Sequence, residues 1–579
     1  MGTASVEDTV AIAARCYVNG DDSLVAWQLP AAIPGLRGFA LCRRRNGAEE
    51  WVDTWVGPAD PAAPPVPPGT HRPSTEWPIQ KFQWTDYLTR PGDVVAYRVV
   101  PVTAPGPGPD QPLTVRHELA SRWTAAQRIV PAVSRSVSVF CNRGIVASQW
   151  LSRRLGDEGS SLTDLGTALD EVIVSVGDPV RDFLAGDVRA ALLGMLAETR
   201  ASQGHLYAAL FELSDPELLA ALLPLGERAH VVLANGAYQR PGDDENAAAR
   251  AALQAAGVDL HSRMLRGGRL GHHKFAVVTD PRGQARSVWT GSTNWTPTGL
   301  CTQANNALLV RDRVVAECFL AEWARLADAG DTTPAALVAG HGTPTRATVD
   351  KRPVTAWFTP TPQGQELDEG RAAIEAARHG ILFLMFAPGP AGTLLNAVLD
   401  RTTPGRPGYD PALHVHGVVN SDPSTRKNPV DLFHRGSRQR APYDIVLPAA
   451  VDERLKFWIP ELKKKFGAHA MVHSKLVVVD PFADQPVVIT GSHNLGPKGS
   501  GRNDENLVIL RDHAPLARAY AVTIMSIYNQ YRWRFWQSQH AGAPQFAGTA
   551  TDDRWQHAYL DPASAKAREI AFYLGQPAG

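Results

Sequence analysis

Three segments near the start of the chain alternate apolar and polar residues with the period of two expected of a strand that buries one face. "SLVAWQL" puts Val25, Trp27 and Leu29 on one side, "GFALCRR" does so with Phe39 and Leu41, and "DVVAYRVVPV" with Val95, Tyr97 and Val99. They predict a half-buried antiparallel sheet, with the proline-rich "PADPAAPPVPPGTHRP" (58–73) as a long loop inside it and "TAPGPGPDQP" (103–112) as its closing linker. From residue 130 the pattern changes to apolar strands alternating with helices. "LYAALFEL" reads as a strand, "SDPELLAALLPLG" as a helix with Ser214 or Asp215 as N-cap and Pro216 in the first turn, and "AHVVLAN" as the next strand. The same order returns in "GILFLMFAPG", "AGTLLNAVLD" and "LHVHGVVNS", with "VAGHGTPTRAT" (338–348) as the seam between the two runs. The expected class is α/β, with two layers that contain substantial parallel pairing.

Composition narrows the function classes. The 579 residues hold 58 Lys plus Arg and 58 Asp plus Glu, so no global field draws in a long polyanion or an anionic membrane, and any recognition of phosphate is local. With 44% hydrophobic and 20% charged residues the chain is globular rather than disordered. No basic start followed by an apolar run is present, and no apolar stretch reaches the roughly 18 residues that span a bilayer, so a soluble, cytoplasmic protein is expected. Cys16, Cys42, Cys141, Cys301 and Cys318 are odd in number and lack CxxC spacing, which points to buried thiols rather than disulfides or zinc. Neither a metal nor a cofactor is expected.

One pattern occurs twice. His272-x-Lys274 aligns with His473-x-Lys475, Gly291-Ser292-x-Asn294 with Gly491-Ser492-x-Asn494, and Asn305-Asn306 with Glu505-Asn506, the last interval being identical in the two copies. These residues resemble the paired HxK...GSxN signature of the phospholipase D superfamily, over roughly 130–540. The resemblance implies two α/β halves related by pseudo-twofold symmetry that share one active site. Trp27 in an early strand and Tyr97 in a late one resemble a fibronectin type III or immunoglobulin-like β-sandwich. The expected division is a sandwich over 1–105, a linker over 106–129, halves over 130–337 and 349–545 flanking the seam, and a tail over 546–579.

Metal-free cleavage of a phosphodiester needs a nucleophile, an acid for the leaving alkoxide, and fixed charge and donors around the phosphoryl oxygens. His272 and His473, Lys274 and Lys475, and Asn294 and Asn494 supply that set, with Ser292 and Ser492 in support. In the family the first-half histidine is usually the nucleophile, and the residue about ten positions after GSxN orients the opposite half's histidine. Carried over, Glu505 stands behind His272 and Asn305 behind His473. A carboxylate favours a cationic phosphorylated ring and an amide orients without charge, which supports His272 as nucleophile and His473 as general acid and base. The family's Asp beyond the HxK strand is matched by Asp480; the first copy has Thr279 there, with Asp280 one later.

Other features carry blander readings. His414-x-His416 puts two imidazoles on one strand face without a nearby carboxylate or Cys partner, and His273 should point away from His272 as a packing residue. Lys463, Lys464 and Lys465, with "STRKNP" and "HRGSRQR" (424–440), read as a solvated face or as a basic rim at the site mouth, and Phe457-Trp458 as core or as a lipid- or base-contacting pair. The expected function is a phosphodiesterase complete in a monomer, with phospholipid hydrolysis or transphosphatidylation favoured. The alternatives are a nuclease with the same mechanism and a catalytically silent binding protein. The N-terminal domain is the part most suited to a protein partner.

Overall fold

The computed structural model describes residues 12–60, 70–144, 162–237, 243–427, 443–446, 472–539 and 548–576. The early alternating segments form two antiparallel sheets. Ala13–Val18, Ser23–Gln28 and Gln83–Asp86 make one of three strands. Leu36–Arg45, Ala48–Trp51, Val94–Thr103 and Gln127–Arg128 lie in the other, with Thr114–Val115 alongside Val94–Thr103. The stretch expected as a linker, 106–129, thus contributes two strands to this sheet. Trp27, Phe39 and Phe82 fill the core, with ring centroids 5.4 Å apart for Trp27 and Phe39 and 5.1 Å for Phe39 and Phe82.

The strand Ser23–Gln28 departs from the half-buried expectation, because Ser23 to Trp27 are buried on both faces. The expected tail causes this. Its helices His557–Leu560 and Ala565–Tyr573 pack on the N-terminal region: Tyr559 stacks on Phe82 at 4.5 Å, Gln556 exchanges two hydrogen bonds with the Ile33 backbone, and the Tyr17 hydroxyl donates to the Tyr573 carbonyl at 2.7 Å. Strand alternation reports where one sheet could bury a face, and segments distant in sequence decide whether the other face is covered as well.

Two larger mixed sheets follow. The first runs Val137–Cys141, Asn306–Val310, Ala285–Gly291, Lys274–Thr279, His205–Leu210, Ala229–Ala234 and Asp259–Arg263. The second runs Thr345–Val349, Arg352–Thr359, Glu505–Arg511, Val487–Gly491, Lys475–Val479, Gly380–Met385, His414–Val419 and Tyr443–Val446. Apart from Thr345–Val349, which comes from the expected seam and extends the edge, the two orders match strand for strand. In each sheet only the last three strands pair in parallel. The remainder is antiparallel, since strands such as Lys274–Thr279 and Ala285–Gly291 are joined by a turn too short for a crossover. The helix Pro216–Leu222 is capped by Asp215, whose carboxylate accepts from the Leu218 N–H at 3.0 Å.

The HxK and GSxN segments of the two sheets meet along a shared seam. The Thr290 hydroxyl donates to Asn506 at 2.7 Å, and the Asn306 amide donates to Thr490 at 2.8 Å, a reciprocal exchange between matching positions. The Ala304 carbonyl accepts from the N–H groups of His473 and Ser474 at 2.9 and 3.0 Å. Arg263 and Asp504, both fully buried, close a salt bridge of 2.6 Å between the halves. Among the described residues no helix is long and apolar enough to cross a membrane.

Candidate active site

Each HxK motif enters its strand at the seam, and each GSxN motif leaves the neighbouring strand beside it. Gly291 and Gly491 make this approach achievable. At φ 151° and 142°, a Cβ would stand 2.3 Å from the carbonyl oxygen of Asn306 or Asn506, a contact that only glycine avoids. Asn306 and Asn506 then donate their backbone N–H to the Ser292 and Ser492 hydroxyls, both at 3.0 Å. The two serines therefore pin the loop that presents Asn294 and Asn494.

The two histidine rings face each other across the seam with centroids 6.4 Å apart. His272 Nδ1 lies 2.9 Å from Glu505 Oε1. The same carboxylate accepts from the Asn503 amide at 2.9 Å and the Asn494 N–H at 3.0 Å. His473 Nδ1 lies 2.9 Å from Asn305 Oδ1 and 3.0 Å from the Ser292 carbonyl. Both of those partners accept hydrogen bonds, so Nδ1 of His473 carries the proton and Nε2 presents a lone pair to the seam. Asn305 is itself fixed by an amide bond to the Gly299 carbonyl at 2.8 Å and by the Asn142 side chain on its N–H at 2.6 Å. A carboxylate thus backs one imidazole and an amide the other.

Both lysines are buried, and each ammonium group is tied to the carbonyl of its own histidine, Lys274 at 2.7 Å and Lys475 at 2.6 Å. Each also sits over an aromatic ring, Lys274 4.6 Å from Phe211 and Lys475 4.7 Å from Phe386, and these same rings pack against His272 and His473 at 4.8 and 4.7 Å. Phe211 and Phe386 occupy matching places, directly after the strands His205–Leu210 and Gly380–Met385. Their signal was the repeated "strand, then Phe" in "LYAALF" and "ILFLMF".

Burial and clustered cations govern the electrostatics. Burial first, and Lys274 second, push His272 down to about 3 against the pull of Glu505, and burial with Lys475 holds His473 well below the usual imidazole range. Burial drives Lys274 down to about 7, opposed by Glu212 and Glu505, and Lys475 falls well below its ordinary value. For Glu505, burial alone acts upward, but His272, His493 and Asn503 overcome it and keep the carboxyl far below the usual range. The site is therefore buried and rich in donors, and its imidazoles are neutral at neutral pH. An arriving anion favours the charged form of every cationic group in it.

Several residues escaped the sequence reading. Glu212, directly after Phe211, accepts from the Asn294 amide at 2.7 Å. His493, the variable position of the second GSxN, lies 3.8 Å from Glu505 and 3.3 Å from the buried Glu366, behind His272. A GSxN motif does not disclose what its third residue touches, and Glu366 belongs to a helix remote from either motif. Asp480 accepts from the N–H groups of Arg378, His379 and Gly380 at 3.0, 2.7 and 2.8 Å, which anchors the neighbouring strand rather than the site. His273 turns into the core, with Nε2 3.6 Å from Glu322 and its ring against Phe275 and Phe358. His414 and His416 are buried under Phe572 and Tyr528. Lys463, Lys464 and Lys465, Phe457-Trp458 and "HRGSRQR" lie outside the described residues.

Part of the chain is similar to known proteins. Residues 442–536, within the second half, match the family model of the PLD-like domain of cardiolipin synthase. The curated relatives include the mitochondrial cardiolipin hydrolase of Xenopus laevis, 31% identical over 140 residues, which are 24% of this chain and 61% of that protein. The chain spans 61% of that relative and 55% of its Xenopus tropicalis counterpart. Among solved structures, the phosphatidylserine synthase of Haemophilus influenzae aligns with a TM-score of 0.40 and 13% identity, over 60% of this chain and 85% of that one. The phospholipase D family member Nuc of Salmonella typhimurium aligns with a TM-score of 0.20 and 19% identity, over 24% of this chain and 88% of that one.

Proposed function

We propose that the protein is a metal-independent phosphodiesterase of the phospholipase D superfamily, acting through a phosphohistidine, with a phospholipid as substrate. The two halves are taken as pseudo-twofold mates that build one site in a single chain. The observation that carries this reading is the facing pair His272 and His473, one backed by Glu505 and the other by Asn305, between two buried lysines. The phospholipid preference draws support from the likeness to the PLD-like domain of cardiolipin synthase and to cardiolipin hydrolase.

In the first step Nε2 of His272 attacks phosphorus while the bond to the leaving oxygen breaks. Lys274, Lys475 and the amides of Asn294 and Asn494 hold the non-bridging oxygens. His473 donates a proton to the leaving alkoxide. Its Nε2 takes up that proton when the anionic substrate arrives and offsets the lysine charges that otherwise keep the ring neutral. In the second step His473 removes a proton from water, or from an alcohol, whose oxygen attacks phosphorus and breaks the P–N bond. Two in-line displacements retain configuration at phosphorus. Glu505 stabilises the cationic phosphorylated ring between the two steps.

The test is a parallel assay, in EDTA, of wild type and His272→Asn on mixed phospholipid vesicles and on single- and double-stranded DNA. Headgroup release by wild type alone is the expected result. Cleavage of DNA alone would replace the phospholipid assignment with a nuclease, and inactivity on both substrates would remove the enzymatic reading.

A further inference from the structure

The two halves differ again at the residue that follows the matching phenylalanines. Phe211 and Phe386 match, but the next residue is Glu212 in the first half and Ala387 in the second. Glu212 is held firmly. The Trp295 N–H donates to its carbonyl at 3.2 Å, Trp295 accepts in turn from the Ser214 and Asp215 N–H groups, and the strand edge is thereby stitched to the GSxN loop. Its carboxylate takes one N–H of the Asn294 amide at 2.7 Å, which leaves the second N–H of that nitrogen for a ligand. Asn294 is 4% exposed, and its Oδ1 has no partner. An amide that the mechanism assigns to phosphate is thus aimed by an acid.

A carboxylate in an anion site is costly unless it does something there. With both imidazoles neutral, the positive charge that Lys274 and Lys475 carry once an anion binds stands against Glu505 and Glu212, so the site has little of it left over. We propose that Glu212 sets the charge the site accepts, matching it to a monoanionic phosphodiester and disfavouring dianionic phosphomonoesters. Without it, Lys274 and Lys475 would attract a dianion more strongly than a diester. Glu245, together with Lys274 and Lys475, supplies the charged surroundings of this carboxyl. Burial and Glu245 push Glu212 up to about 7, so its discrimination should fade in mild acid as it takes up a proton. The inference rests on the phosphodiesterase reading and names the selectivity of that same site.

The test compares wild type with Glu212→Gln, which keeps an oxygen for Asn294 and removes the charge. Binding of sulfate, a dianion throughout the working range, and of dimethyl phosphate, a monoanion, is measured by calorimetry at pH 8 and pH 6. At pH 8 the variant should gain about tenfold in sulfate affinity. Because the effect acts on ligand charge, the sulfate gain should be close to the square of the dimethyl phosphate gain. At pH 6 the two proteins should converge. Glu245→Gln should also alter the sulfate preference of the wild-type carboxyl, since it removes a neighbouring charge without touching Asn294. Equal gains for both anions, or no gain at either pH in Glu212→Gln, would overturn the inference without bearing on the phosphodiesterase reading. Failure of both anions to bind wild type and variants would remove the phosphate site itself and the inference with it.

Discussion

Replacing Glu505 by Gln isolates the asymmetry on which the assignment of roles depends. The carboxylate oxygen lies 2.9 Å from His272 Nδ1, and at an effective dielectric of about 20 two unit charges at that separation interact by about 6 kcal/mol. The interaction matters when the ring becomes cationic on phosphorylation. The Asn503 amide and the Asn494 N–H already disperse part of the carboxylate charge, and Gln retains a neutral hydrogen bond, so about half of this energy, ~3 kcal/mol, should be lost. That corresponds to a fall of about a hundredfold in kcat. Asn305→Ala removes an uncharged acceptor from His473, along with the amide's own bonds to Gly299 and Ser292, and the part felt by His473 is worth about 1 kcal/mol or roughly fivefold. Steady-state kinetics of wild type and both variants on a chromogenic phosphodiester, with stopped-flow resolution of the first turnover, gives both numbers. A loss in Asn305→Ala equal to that in Glu505→Gln would refute the assignment of His272 as the phosphorylated ring.

Chelation should leave turnover unchanged, because every group assigned to the chemistry is a side chain; complete loss in EDTA with rescue by a divalent ion would contradict this. Asp480→Ala should cost about 3 kcal/mol of unfolding free energy in urea titrations, since three backbone N–H groups lose their acceptor, while Asp480→Asn should cost less. Acid should destabilise the fold through His414, which burial and Arg532 push down to about 3. The folded ring stays neutral while the unfolded one takes a proton below its ordinary 6.5, so stability is full above that pH and falls as pH drops toward 3. The slope is about 1.4 kcal/mol per pH unit, and from pH 7.5 to pH 5 the wild type should lose about 2 kcal/mol more than His414→Phe, as measured by denaturant titration.

The sequence discloses the site where chemistry is repeated and conceals it where chemistry is asymmetric. Aligning the two HxK...GSxN copies picks out His272, Lys274, Asn294 and their mates, the six residues proposed as the site, which stand beside one seam. Glu212, His493 and Glu366 have no repeated partner, so the alignment passes over them, although each bears on the charge around a histidine or an amide of the site. The fold follows the same division. Short-range alternation and helix capping at Asp215 mark the individual elements, whereas the burial of both faces of Ser23–Gln28 depends on the helix Ala565–Tyr573 at the far end of the chain. The mixed pairing within the α/β sheets had a local signal that strand and helix counting missed: the turn between Lys274–Thr279 and Ala285–Gly291 is too short for a parallel return.

The most direct measurement is rapid acid-free quenching of the enzyme on a phosphodiester labelled with 32P, followed by peptide mapping of the labelled histidine. Label is expected on His272 in wild type, with accumulation of that species in His473→Asn when the leaving group needs no proton, and no label in His272→Asn. Label on His473 with His272 intact would contradict this assignment.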